Sequence, residues 1–382
     1  MLRGPAYPAA REVAETVAEH FARRHADARS RGKGELAPAP DAAAVEAVAD
    51  AAFWASLRRE EGYSPKISLA FLPPEQAEPP LRFAQPLPLD PAALARLAPA
   101  VERPGIHLGV WRCDGEGLCV WGTTRTIPRL CFVLEVIEPG LLVVKYRRGR
   151  DPGKFANVAV LRGDEVKVVD EGGASLPDCP ELVNSLLGFG AGASTPADPV
   201  NLLVQLAVSM RAHGRGGALL VVPAGSDAWR ASVRWPAPYT VEPAFPELRE
   251  LLRRGEAERD DPEWQEDLRR GVEAVAGLTA VDGAAVINEH SELLAFGVKI
   301  TRHEGAPRVE RVTLTEPVVG SAAAVVEPSQ LGGTRHLSAA QFVQDQRDAV
   351  ALVASQDGRF TVFAWSPCDG MVHAHRVETL LL

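Results

Sequence analysis

Residues 281–300 read VDGAAVINEHSELLAFGVKI, and how this stretch divides decides the fold of the C-terminal half. An Asp-Gly pair opens it, AAVIN follows as a continuous apolar run, NEHSE supplies turn chemistry, and LLAFGVKI returns as a second apolar run. Short runs bounded by turn residues are read as strands of a buried sheet. Upstream, DPEWQEDLRRGVEAVAGL has the helical period, so a helix feeds the first strand at Asp282-Gly283.

Working outward, helices and strands keep alternating. VNLLVQLAVSMRAHG is an amphipathic helix with Leu203, Leu206, Ala207 and Met210 on one side, GGALLVVPA a buried strand, WRASVRW a shorter strand, and PAFPELRELLRRG a helix. Downstream, SAAQFVQDQRD is helical and AVALVASQDGRFTVFAWS forms a hairpin around Gln356-Asp357-Gly358. This pattern predicts one α/β domain with a mixed central sheet over 190–382. ASTPADP, at 193–199, marks its start, with Thr195 or Asp198 able to cap the first helix.

The N-terminal half has a different rhythm. Residues 1–60 read as two helices separated by GKGELAPAP, the second with Val45, Val48, Ala52 and Leu57 near one face. Over 61–185 come KISLAFLP, a short helix at DPAALARLAPAVE, then GIHLGVWRC, GLCVWGTT, RLCFVLEVI, LLVVKYRRG, FANVAVLRG and EVKVVDE. Their separators DGEG, EPG and GDE are turn sequences, so a mostly antiparallel β module is expected. It shows no nucleophile, metal spacing or phosphate loop, and its basic KYRRGRDPGK segment reads as a solvated hairpin end. A sensor or docking domain fits it better than an enzyme. The chain as a whole is of mixed α/β class, α+β in type.

Composition sets the outer bounds. The 382 residues exceed one ordinary core, and 46% hydrophobic with 24% charged residues is a globular composition. A net charge of -9 argues against a protein that coats nucleic acid. No apolar run approaches a bilayer span and the start shows no signal-peptide core, so a cytoplasmic protein without membrane partners is expected. Five cysteines without a C-x-x-C pair indicate neither a disulfide framework nor a zinc knuckle.

Two motifs carry chemistry. In Asp282-Gly283-Ala284 a carboxylate at a strand start can reach a metal or a hydroxyl, and Gly283 allows close approach to the backbone. In LGGTRHLSAAQF, at 331–342, Gly332 and Gly333 free backbone N–H groups, while Thr334, Arg335 and His336 add a hydroxyl, a fork of donors and an imidazole. Ser338 followed by Gln341 has the capping-box pattern, which puts a helix N-terminus, an anion site, beside them.

Together, a D-G-A at a strand start, a G-T-R-H at a helix start and a terminal apolar hairpin resemble the diadenylate cyclase (DAC) domain family, whose hallmarks are D-G-A and R-H-R motifs. The resemblance covers about 190–382, and the N-terminal half resembles, more loosely, the DACNV sensor modules attached to some members. It implies that Asp282 binds a divalent metal, Mg²⁺ or Mn²⁺, and helps activate a ribose 3′-hydroxyl. Gly283 and Ala284 would border the nucleoside; Thr334, Arg335 and His336 would hold ATP phosphates, with Gly332, Gly333 and Ser338 around them. Two ATP molecules would join into cyclic di-AMP, each domain holding one, so a face-to-face homodimer is implied.

The sequence departs from that pattern twice. Leu337 stands where the second Arg of R-H-R would be. The interval between the motifs is long, and Arg302, Arg308 and Arg311 within it read as solvated. A nucleotide-binding sensor without turnover is therefore the alternative. A separate rival is metal binding by His373, His375 and Asp369, weighed against two exposed histidines on an edge strand.

Overall fold

The structure is a computed structural model, and it describes residues 6–30, 35–59, 62–78, 80–113, 117–147, 155–170, 199–258, 261–355 and 359–378. The chain forms two compact units, Met1–Val169 and Asp170–Leu380. The architecture is mixed α/β, with two mixed sheets and seven α-helices among the described residues. The boundary expected at 193–199 and most of KYRRGRDPGK lie outside the described residues, as does the turn at 356–358.

In the N-terminal unit, α1 (Pro8–Ser30) and α2 (Ala42–Ser56) bury Val13, Val17 and Phe21, and Val45, Val48 and Ala52, at helical spacing. Asp41 caps α2 by accepting from the Ala44 N–H at 2.8 Å. That helix ends at Ser56, so Leu57 is exposed rather than core-facing. The eight-stranded sheet runs β2-β4-β3-β1-β5-β6-β7-β8. Its strands are β1 (Ser68–Phe71), β2 (Leu81–Pro88), β3 (His107–Arg112), β4 (Leu118–Thr124), β5 (Phe132–Glu138), β6 (Leu141–Arg147), β7 (Phe155–Arg162) and β8 (Glu165–Val168). Among the strand pairs of the described residues in this sheet, β1–β3 is parallel and the others are antiparallel.

Alternation along these strands gives the sheet two faces. Leu69, Leu108, Leu134 and Val144 share a core with α1, α2 and α3 (Pro91–Leu97). The opposite face carries a smaller cluster of Ala70, Leu72, Trp121, Cys131 and Val133. Trp121 donates its indole N–H to the Leu72 carbonyl at 2.9 Å. Burial raises the Cys131 thiol well above its ordinary range, which keeps it inert near neutral pH.

The C-terminal unit is built on a nine-stranded sheet, β10-β12-β11-β9-β15-β16-β17-β13-β14. Its strands are β9 (Gly217–Val222), β10 (Tyr239–Phe245), β11 (Ala284–Asn288), β12 (Leu293–Val298), β13 (Val312–Thr315), β14 (Ala324–Val326), β15 (Val350–Ala354), β16 (Arg359–Ser366) and β17 (Met371–Glu378). The helices α4 (Pro199–Ala212), α5 (Glu247–Glu258) and α6 (Pro262–Leu278) cover one face around Trp264, and α7 (Thr334–Asp345) covers the other around Phe342 and Phe363. WRASVRW is not a strand: Ala228–Ser232 form a 3₁₀ turn that buries Trp229. The long interval between the motifs supplies the β13–β14 hairpin, which adds to the sheet beside β17.

Candidate functional site

Topology brings the two motifs to one end of this sheet. A short turn joins α7 to β15, so the helix runs antiparallel to that strand and begins over the strand's far end, Ala354. Ala354 pairs with Gly217 at the start of β9, and β9 runs parallel to its neighbour β11, which Asp282 precedes. The start of α7 and the start of β11 therefore share an edge.

Asp282 projects from the turn between α6 and β11, and its side chain is 91% exposed. Pairing of Ala284 with Val298 sets Lys299 beside it, and the Lys299 ammonium lies 2.5 Å from the carboxylate. Lys299 holds the Asp282 carboxyl below its ordinary range, first by this hydrogen bond and then by its charge, and Arg335 adds a smaller effect in the same direction. Asp282 and Arg335, far apart in sequence, thus lie within electrostatic reach. Lys299 was missed in the sequence because only strand register places it there.

The helix starts one turn earlier than the capping box implies. Gly333 is the N-cap of α7 and no side chain caps the helix. Ser338 is inside it, and Gln341 is used elsewhere: its amide accepts from the Val309 N–H and donates to the Pro307 carbonyl and to Asp345. Gly332, Gly333 and Thr334 are exposed, so the first N–H groups of α7 face outward. Arg335 is half-buried and makes no ion pair or hydrogen bond among the described residues.

Neighbours on a helix point about 100° apart, and with Arg335 at the rim His336 turns inward. His336 is 3% exposed and meets Phe363 edge-on at 6.1 Å. The ring also fills the space a Cβ on Gly332 would occupy, which would fall 2.6 Å from Nδ1. The sequence reading puts His336 at the phosphates; here its ring packs inward while Arg335 stands at the rim. Leu337, at the position of the missing arginine, is partly buried against the same core.

Gly283 also serves the sheet. It has φ +130, and a Cβ on it would lie 2.4 Å from the Gly297 carbonyl carbon of β12. The close approach expected at Gly283 is thus taken up by another strand. Ala284 is buried, 1% exposed. Tyr239 lies over Gly297, half exposed and stacked on Phe296 at 4.7 Å, and Val281, the residue before Asp282, borders the same glycine.

Among the described residues no group of three His, Cys, Asp or Glu side chains could hold a metal ion. Asp282 alone offers an accessible carboxylate at the site, which fits a Mg²⁺-type ion only when ligand phosphates complete its shell. His373 and His375 are buried rather than exposed, because β13 pairs with β17 and removes the edge. His373 is held by Asp369 at 2.7 Å and His375 by Thr315 at 2.7 Å.

The first half of the sheet in the N-terminal unit, β2-β4-β3-β1, is contiguous in space and sequence together with α2 and α3. Residues 34–125 match the family model of the probable sensor domain DACNV. The DACNV range contains that whole half-sheet and both helices, so the N-terminal unit carries a probable sensor domain. Among curated proteins, no match was found. Among the described residues, no helix is long and apolar enough to cross a membrane.

Proposed function

We propose that the C-terminal unit binds ATP or a related nucleotide and, paired with a second copy, condenses two ATP molecules into cyclic di-AMP under control of the DACNV unit, each ribose 3′-hydroxyl attacking the other nucleotide's α-phosphate and pyrophosphate leaving from each. The observation that carries this reading is the half-buried Arg335, without a partner among the described residues, at the open start of α7 beside Asp282. A guanidinium and helix-end N–H groups hold a phosphate and offset charge that grows as an oxygen attacks phosphorus. Asp282 stays ionised, able to accept a hydrogen bond from a ribose hydroxyl and orient it. Tyr239 offers a ring face to a base. A bound Mg²⁺ or Mn²⁺ would be held by Asp282 with the phosphates and would lower the basicity of the attacking oxygen. Since one unit has one such edge, joining two nucleotides requires two copies face to face.

Nucleotide sensing without turnover is the second reading, favoured by the inward His336 and by Leu337 in place of a second cation. Incubation of the purified chain with ATP and Mn²⁺ or Mg²⁺, followed by chromatography and a melting scan, separates the two. The first reading expects a cyclic product that Asp282→Asn abolishes and a thermal shift that Arg335→Ala removes. A shift without product supports the second reading, and neither shift nor product ends both.

A further inference from the structure

The sheet of the N-terminal unit has a polar row on the face away from α1 and α2. Ser68, His107, Glu135, Lys145 and Phe155, from five adjacent strands, point to this face by alternation with the apolar positions beside them. Ser68 and His107 are buried, 7% and 2% exposed, in the middle of the sheet. Their side chains form a connected chain: Lys145 lies 2.5 Å from Glu135, Glu135 3.5 Å from Ser68, and Ser68 2.7 Å from His107. Lys145 also stands 4.3 Å over the Phe155 ring. A core position filled by polar groups gives up apolar burial, so stability alone does not call for this row.

Above the row is a concavity of about 820 Å³, within the range of sites for small molecules. Five basic side chains line it against two acidic ones, in a chain of net charge -9. Two of the five are already engaged, Lys145 by Glu135 and Arg147 by the Ile127 carbonyl. The other three, Lys66, Arg103 and Arg125, are exposed at the mouth and have no ion-pair partner among the described residues. Ile127 and Phe155 give the wall an apolar part. Burial, with Lys145 and Arg147 nearby, lowers His107 to about 4, so near pH 7 it stands as a neutral hydrogen-bonding group.

We propose that this concavity is the ligand site of the sensor unit and takes a small organic anion, its carboxylate or phosphate held by Lys66, Arg103 and Arg125 and its apolar part resting on Ile127 and Phe155. Two guanidinium groups lining one concavity, without an ion-pair partner among the described residues, supply the forked donors that such anions need. The polar row fixes the floor, so the site is formed before the ligand arrives. This inference does not depend on the nucleotide reading of the other unit.

The test uses the 382-residue chain carrying Arg335→Ala, so that the edge proposed to bind phosphate in the C-terminal unit contributes nothing. Phenyl phosphate, benzoate and benzylamine are titrated at constant ionic strength up to about 10 mM, with binding followed by ligand-observed NMR. At least one anion should bind and the cation should not. The added pair Arg103→Ala and Arg125→Ala should weaken the anion about tenfold or more while leaving the melting temperature unchanged, since both side chains are exposed and unpaired. Binding of benzylamine as strong as that of the anions, anion binding unaffected by the double substitution, or no binding of either anion would overturn the proposal.

Discussion

Leu337 holds the position at which the DAC resemblance calls for a second arginine, and its surroundings show what an arginine there would cost. The side chain is partly buried against the core under α7, and its neighbour His336 is enclosed by Gly332 and Phe363. Leu337→Arg would strip apolar contacts from this core and oblige a charged head to reach back to solvent along its stem. The substitution is expected to destabilise the chain by about 1–2 kcal/mol, read as a lower urea midpoint; an unchanged midpoint would mean that the position is more open than it stands here. Asp282 and Arg335 could be picked out of the sequence because their chemistry is in the residue type. The inward turn of His336 and Leu337 could not, because it follows from where the helix begins.

That start is a matter of elements. Ser338 and Gln341 have the letters of a capping box, yet Gly333 begins α7 and Gln341 ties the helix to the segment before β13. The Val309 N–H is left without its acceptor in Gln341→Ala, and a buried orphan donor costs about 1–3 kcal/mol. Chemical denaturation should show that loss, whereas a change below a few tenths would mean that water replaces the amide. Gly283 joins β11 to β12 by close backbone approach, so Gly283→Ala should cost about 2–4 kcal/mol from a positive φ and a clash with Gly297. A variant that folds with the melting temperature of the parent would contradict the contact. Loss of activity in Gly283→Ala therefore cannot be read as loss of a ligand contact.

The elements that escaped the sequence share a physical reason. β2 and β10 are the outermost strands of their sheets, mostly exposed, and both contain proline. An edge strand buries too little to impose alternation and tolerates a missing N–H, so its sequence looks like a loop. The opposite error arose at His373 and His375, whose strand looked terminal until the β13–β14 hairpin paired beside it. Most buried strands, with their apolar runs, were legible, but the short β13 was not, because VTLT has no continuous apolar run.

Across the whole molecule three buried histidines, His20, His107 and His375, set a common response to acid. Burial, and then Arg24 and Arg23, lowers His20 to about 3; burial, and then Lys145 and Arg147, lowers His107 to about 4; burial, and then His373, lowers His375 to about 3. The first two belong to the N-terminal unit and the third to the C-terminal one. In the unfolded chain each titrates near its ordinary value of 6.5. Above that value both states are neutral and the histidines add no pH dependence. Below it the unfolded state binds protons that the folded state refuses, so stability falls as pH falls, down to about 4 for His107 and about 3 for the others. Each group contributes about 1.4 kcal/mol per pH unit inside its window. The shifted carboxyls Asp41, Glu266, Asp282 and Glu292 act lower, from the ordinary carboxylate range downward. Urea denaturation at pH 7, 6 and 5 should therefore show stability dropping between 6 and 5 in both units, where most carboxylates are still ionised. His20→Leu should flatten that slope by about one proton's worth in the N-terminal unit and leave the C-terminal one unchanged. A stability that stays level from pH 7 to 5 would mean that these histidines are more hydrated in the folded chain than their burial implies.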